Sequence, residues 1–192
     1  MQVQDLFKNA RVIALDIETI NVSKKNNVII QFGFIEVVDG QLKRRSSALF
    51  GGGKSGEAAL AKHGITDESR VGKPRFEEHA VKIAKFLSGA ILLGHNALKF
   101  DVPIIDNVCR KVGEPIIGRA DGIPVIDTLP LARQSIHSPS YTLGTICGML
   151  GVPYGTHDAE GDAFNAWKVF IEFVKLQEPD SIDRYVSYYK PE

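Results

Sequence analysis

Cysteine is scarce in this chain: only Cys109 and Cys147 occur in 192 residues. Both fall in apolar helical patterns and neither has metal-ligand spacing, which excludes a disulfide framework and a zinc–thiolate site. Buried, reduced thiols are expected, and with them a cytoplasmic location. An excess of charge is lacking as well, with 23 basic against 23 acidic side chains, so no global positive field gathers nucleic acid unspecifically. No apolar run approaches the roughly 20 residues of a membrane span, and residues 1–10 have no signal-peptide core, so no membrane partner is expected. Gly51-Gly52-Gly53-Lys54-Ser55-Gly56 contains the Gly-Lys-Ser of a phosphate loop, but Ala48 stands where that loop requires its first glycine, and the segment reads as a linker. Internal repeats, low-complexity tracts and interdomain linkers are missing too. With 44% hydrophobic residues, a single domain over residues 1–192 is expected, its core spanning 11–176 and a packing tail 177–192.

What is present alternates between strand and helix signals. Apolar, β-prone runs predict strands at 11–17, 28–38, 41–50, 90–93 and 123–126, with Asp39-Gly40 as a hairpin turn. Helices are predicted at 57–63, ended by Gly64, and at 74–88, where Phe76, Ala80, Ile83, Ala84 and Leu87 form an apolar stripe. Further helices are predicted at 101–112, 127–134 and 141–150, in a long element ending near 177, and as a short packing helix at 185–189. The class is α/β. Charge is uneven along the chain: residues 1–100 carry 15 basic and 10 acidic side chains, and residues 101–192 carry 8 and 13. That asymmetry fits an acidic metal site beside a surface that follows phosphates.

The first strand carries the chemistry. Asp16 and Glu18 are spaced i, i+2, so they point to one face, about 7 Å apart along the strand. Two carboxylates at the end of a buried strand repel unless a cation lies between them, and a divalent metal is the natural choice. Asp101 opens a helix after a central strand, Asp162 lies one turn into the last long helix, and His157 lies just before that helix. Taken singly, Asp101 also reads as a helix N-cap, Asp162 as a first-turn acid offsetting the helix dipole, and His157 as a surface loop residue. Together they stand at strand ends and helix starts, where open α/β sheets place their sites.

Asp16-x-Glu18-Thr19, His95-Asn96…Phe100-Asp101 and His157-x-Ala159-x-x-Asp162 resemble the three motifs of the DEDD (DnaQ-like) 3′→5′ exonucleases, histidine subtype. That group includes the proofreading epsilon subunit of bacterial replicative polymerase, Trex-type exonucleases, ribonuclease T and oligoribonuclease. The resemblance spans residues 11 to about 175. It implies a ribonuclease-H-like fold: a mixed five-stranded sheet, three strands antiparallel and two parallel, flanked by helices. It also implies two Mg²⁺ or Mn²⁺ ions, with Asp16 bridging both, Glu18 and Asp162 completing one site, and Asp101 reaching the other. Hard divalent ions prefer such oxygen ligands, and a two-ion site can stabilise the attacking and leaving oxygens of an in-line displacement at phosphorus. His157 is the implied general base, since imidazole titrates near neutrality. This chain departs from the family pattern with Ile20-Asn21 after Thr19, and it has three residues between Asn96 and Phe100.

The same resemblance assigns substrate contacts to Thr19, whose backbone would hold a 3′-hydroxyl, and to His63 and Ile65 of His63-Gly64-Ile65-Thr66, which would pack on the terminal base. Ile65 reads equally well as a buried residue after a helix cap. The expected activity is hydrolysis of single-stranded or frayed DNA from its 3′ end, releasing nucleoside 5′-monophosphates. Short or 3′-tailed RNA is the alternative substrate, and a catalytically silent nucleic-acid-binding or polymerase-docking module is the alternative from another class. The expected partner is a single-stranded 3′ end, and a polymerase or a second copy of the chain is compatible with the family.

Overall fold

The computed structural model describes residues 3–21, 27–155 and 158–191. A single six-stranded sheet runs through them, in the order β3-β2-β1-β4-β5-β6. Strand β1 (Arg11–Thr19) pairs antiparallel with β2 (Ile29–Val38), which turns at Asp39-Gly40 into β3 (Gln41–Leu49). Both turn residues have positive φ, 52° and 72°, as a two-residue hairpin with the strands' own twist requires. On its other side β1 runs parallel to β4 (Ile91–Gly94), and β4 runs parallel to β5 (Ile123–Asp127).

This is the expected ribonuclease-H-like arrangement with one strand more. The tail predicted as a helix at 185–189 is instead β6 (Val186–Tyr189), antiparallel to β5, with Ile126 opposite Val186 and Ile123 opposite Tyr189. Without it β5 would be an open edge with unpaired backbone groups, and the β-branched and aromatic tail covers that edge. A 3-10 turn, Ile182–Tyr185, delivers the tail there.

Alternate residues of β1 divide the molecule into two cores. Ile13, Leu15 and Ile17 face a layer built on α2 (Phe76–Leu87) and α3 (Asp101–Lys111). Val12 and Ala14 face the other layer, built on α4 (Thr128–Ser135), α5 (Leu143–Met149) and α6 (Ala159–Gln177). The period of two then puts Asp16 and Glu18 on the α6 side. Helix α6 sits hard against the sheet there: a Cβ on Gly33, the residue paired with Asp16, would lie 2.1 Å from the Ala159 carbonyl carbon. Only a glycine allows backbone to approach that closely. Gln31 Oε1 accepts from Ala159 N–H at 3.2 Å, and Glu160 pairs with Arg45 of β3, which further fixes the start of α6. Among the described residues, no helix is long and apolar enough to cross a membrane.

Candidate metal centre and active site

Four acids from three elements converge at the C-terminal end of β1. One carboxylate oxygen each from Asp16, Glu18 and Asp162 lie within 4.8 Å of one another. Asp101, the first residue of α3, joins from the opposite layer and accepts from Ile17 N–H at 3.1 Å. Glu18, Asp101 and Asp162 are buried, and among the described residues Asp16 Oδ2 is enclosed without a hydrogen-bond partner. A strand irregularity sits beside them: Glu18 pairs with Gln31 but Thr19 pairs with Ile29, so the strand end bends away at the cluster.

The electrostatic consequence is large. Burial, followed by the Asp101, Glu18 and Asp162 carboxylates, holds Asp16 well above the usual carboxylate range. Burial likewise pushes Asp101 up to about 7, against the opposing pull of the Ile17 N–H. Negative charge packed this tightly is tolerated in a folded protein when a cation offsets it. Hard carboxylate oxygens, grouped and with one of them unpartnered, are the donor set that suits Mg²⁺ or Mn²⁺. The residues therefore fit the divalent ions that the resemblance implies.

The cleft above the cluster has a volume of about 690 Å³. Helix α1 (Glu57–His63) contributes Ala59, Lys62 and His63, which share one helical face. Gly64 ends α1 in a left-handed turn, φ 68°, and His63 Nδ1 accepts from Ile65 N–H at 3.0 Å. Burial holds the His63 pKa below its usual value. Of the three expected substrate residues, Thr19 and His63 line the cleft, whereas Ile65 is half-buried and lies outside its wall. The Thr19 hydroxyl is already committed, donating to the Asn21 carbonyl at 2.7 Å and accepting from Asn27 Nδ2 at 2.9 Å. His157 lies outside the described residues.

Three supporting residues escaped the sequence reading. Asp127 caps α4 through Leu129 N–H at 3.0 Å and also accepts from Asn96 N–H at 2.8 Å and Leu98 N–H at 3.1 Å. It thereby shapes the loop that delivers Asp101. The Tyr154 hydroxyl hydrogen-bonds Asp162, and its pKa is pushed up, first by burial and then by that carboxylate. Its ring rests where a Cβ on Gly144 would sit, at 3.0 Å. Lys62 Nζ stands 3.7 Å from Glu18 Oε2. Of these, only Asp127, at the end of an apolar strand, carried a recognisable sequence signal. His95 is part of the scaffold: its ring lies between Thr128 Oγ1, 2.9 Å from Nδ1, and the Tyr141 carbonyl, 2.8 Å from Nε2.

Comparison with known proteins agrees with this geometry. The exonuclease family model matches residues 13–170. The PolC-type DNA polymerase III of Thermotoga petrophila is 30% identical over 180 residues, which are 93% of this chain but 13% of that protein. The DNA polymerase III epsilon subunit of Buchnera aphidicola is 30% identical over 185 residues, covering 91% of this chain and 75% of that one. Among solved structures, the zinc-bound complex of Escherichia coli exonuclease I with single-stranded DNA shares the fold, with a TM-score of 0.79 at 18% identity over 92% of this chain and 43% of that one. The cluster at the end of β1 therefore lies within the residues that this family model matches, and the chain belongs to the exonuclease family.

Proposed function

We propose that the chain is a divalent-metal-dependent 3′→5′ exonuclease that removes nucleoside 5′-monophosphates from single-stranded or frayed DNA. The observation that carries this reading is the meeting of Asp16, Glu18 and Asp162 within 4.8 Å, with Asp101 bonded to the same strand end. Asp16, Glu18, Asp162 and Asp101 would hold the ions. Bound divalent cations supply Lewis-acid polarisation of the scissile phosphate and lower the pKa of the attacking water. The protein's own part is to fix the carboxylates on a rigid strand and two helix starts, so that little reorganisation accompanies the reaction. His157, assigned from its place in His157-x-Ala159-x-x-Asp162, takes the proton from the attacking water, a role worth about 10²–10⁴-fold. The Thr19 backbone and His63, both at the cleft wall, are assigned to the terminal nucleotide.

DNA is favoured over RNA because the relatives include polymerase III subunits and an exonuclease I solved with single-stranded DNA. Short RNA is the second substrate. We further propose that residues 1–192 act as one domain in the cytoplasm, with a polymerase as candidate partner. Digestion of end-labelled DNA and RNA with Mg²⁺, with Mn²⁺ and with EDTA tests the reading. A metal-dependent ladder of 3′-shortened DNA is expected. Intact label in every lane, with the oligonucleotide still bound, would establish the silent-binder alternative instead.

A further inference from the structure

Lys62 is the only lysine or arginine lining the cleft among the described residues. Its Cα is held firmly. Gly56 N–H, at the start of α1, bonds the Ile20 carbonyl at 2.8 Å, and Ala59 and His63 on the same helix face are buried. Arg70, itself buried, clamps the preceding loop through the Gly52 carbonyl at 2.7 Å and the Gly53 carbonyl at 3.3 Å. The side chain is different: 60% of its side-chain surface is exposed, and among the described residues its one ion pair is a single long approach of 3.7 Å to Glu18. A flexible stem on a fixed base, making a non-bidentate contact, can leave without disturbing the fold. The Asp16, Glu18, Asp101 and Asp162 carboxylates line the same cleft as this ammonium.

We propose that Lys62 is an internal counter-ion that occupies the carboxylate cluster before metal loads and, once displaced by the metal, turns outward to contact a phosphate of the nucleic-acid strand. The inference rests on the metal-dependent reading above. It makes binding ordered: metal entry releases a cleft cation that can engage the strand, so the metal raises strand affinity through a side chain as well as through its own charge. The reciprocal coupling that linkage demands follows, with the strand also favouring the metal-loaded state.

The test uses Lys62→Met in the full chain, which keeps the aliphatic stem and removes the charge, with Lys62→Arg alongside. Mn²⁺ titration followed by electron paramagnetic resonance, without nucleic acid, reports the first half of the proposal. Because metal entry no longer has to displace an ammonium, Lys62→Met is expected to bind Mn²⁺ several-fold more tightly. Melting in EDTA is expected to fall in the same variant, because the cluster loses the cation that Lys62 supplies. With Ca²⁺ present, binding of a fluorescent oligothymidine is expected to weaken several-fold in Lys62→Met and to be retained in Lys62→Arg. Unchanged Mn²⁺ affinity overturns the counter-ion role, and unchanged oligothymidine affinity overturns the handover. Asp16→Asn serves as the reference: if it binds Mn²⁺ like the native chain, the metal site itself is wrong, which is a separate failure from that of Lys62.

Discussion

Gly33→Ala is a demanding test of how the site is assembled, because residue 33 neither lines the cleft nor belongs to the four acids. A Cβ there would lie 2.1 Å from the Ala159 carbonyl carbon and 2.2 Å from the Glu160 nitrogen. Ordinary carbon contacts are about 3.5–4.0 Å, so the backbone must yield by about 1.5 Å. The atoms it meets are backbone at the start of α6, which cannot rotate away. The helix start must lift from β2, carrying Asp162 away from Asp16 and Glu18. Overpacking of this kind costs about 1–3 kcal/mol, or about 2–12 °C in melting temperature for a domain of this size. A misplacement of about 1 Å at a reacting centre costs about 10²-fold in rate. The assay is a thermal melt paired with Mn²⁺ titration and single-turnover cleavage of end-labelled DNA. Expected is a modest fall in melting temperature with a disproportionate loss of Mn²⁺ affinity and rate. Gly148→Ala is the control: it lies within α5 with no atom within 4 Å of the added methyl, and helix propensity predicts neutrality or a gain of up to about 1 kcal/mol. A folded Gly33→Ala protein with native Mn²⁺ affinity and native rate would refute the idea that this close approach holds Asp162 in place.

Other perturbations separate the remaining parts. Asp16→Ala is expected to abolish turnover while the metal-free protein melts no lower than the native chain, because a strongly disfavoured buried carboxylate has been removed; a marked fall in melting temperature would show that Asp16 supports the fold. His157→Ala is expected to keep Mn²⁺ affinity and to slow cleavage by about 10²–10⁴-fold, and a native rate would place the base elsewhere. Asp127→Ala strands the N–H groups of Asn96, Leu98 and Leu129, at about 1–3 kcal/mol for each group left buried and unsatisfied; the melt checks the total, and loss of Mn²⁺ affinity checks the effect on Asp101. For pH, the folded-state pKa of Asp101 is raised from 3.8 to about 7, so its contribution to stability is fully present below about pH 4 and is lost as pH rises through about 7. Melting in EDTA should therefore show this loss between those limits, and saturating Mg²⁺, which binds the ionised form, should remove it near pH 7.

How far the sequence could be read depended on whether a residue's role is local or tertiary. Asp16 and Glu18 were legible because strand periodicity alone puts them on one face, and the start of α3 and first turn of α6 fixed Asp101 and Asp162 at element ends. What could not be read is what brings those ends together. Gly33 looks like a weak point in an apolar strand until α6 is seated on it. Tyr154 follows a Gly-Val-Pro break that says nothing of Asp162, and Lys62 sits in a helix whose exposed face would carry a lysine in any case. The tail was misread for the same reason: Val186–Tyr189 is too short to favour strand over helix by itself, and the open edge of β5 decides it. The four acids are therefore written into single elements, whereas the devices that set their separation and offset their charge exist only between elements. Mutations at Gly33, Tyr154 or Asp127 should then alter metal affinity while leaving the motif intact, so the presence of all four acids in a sequence of this family cannot by itself establish a working site.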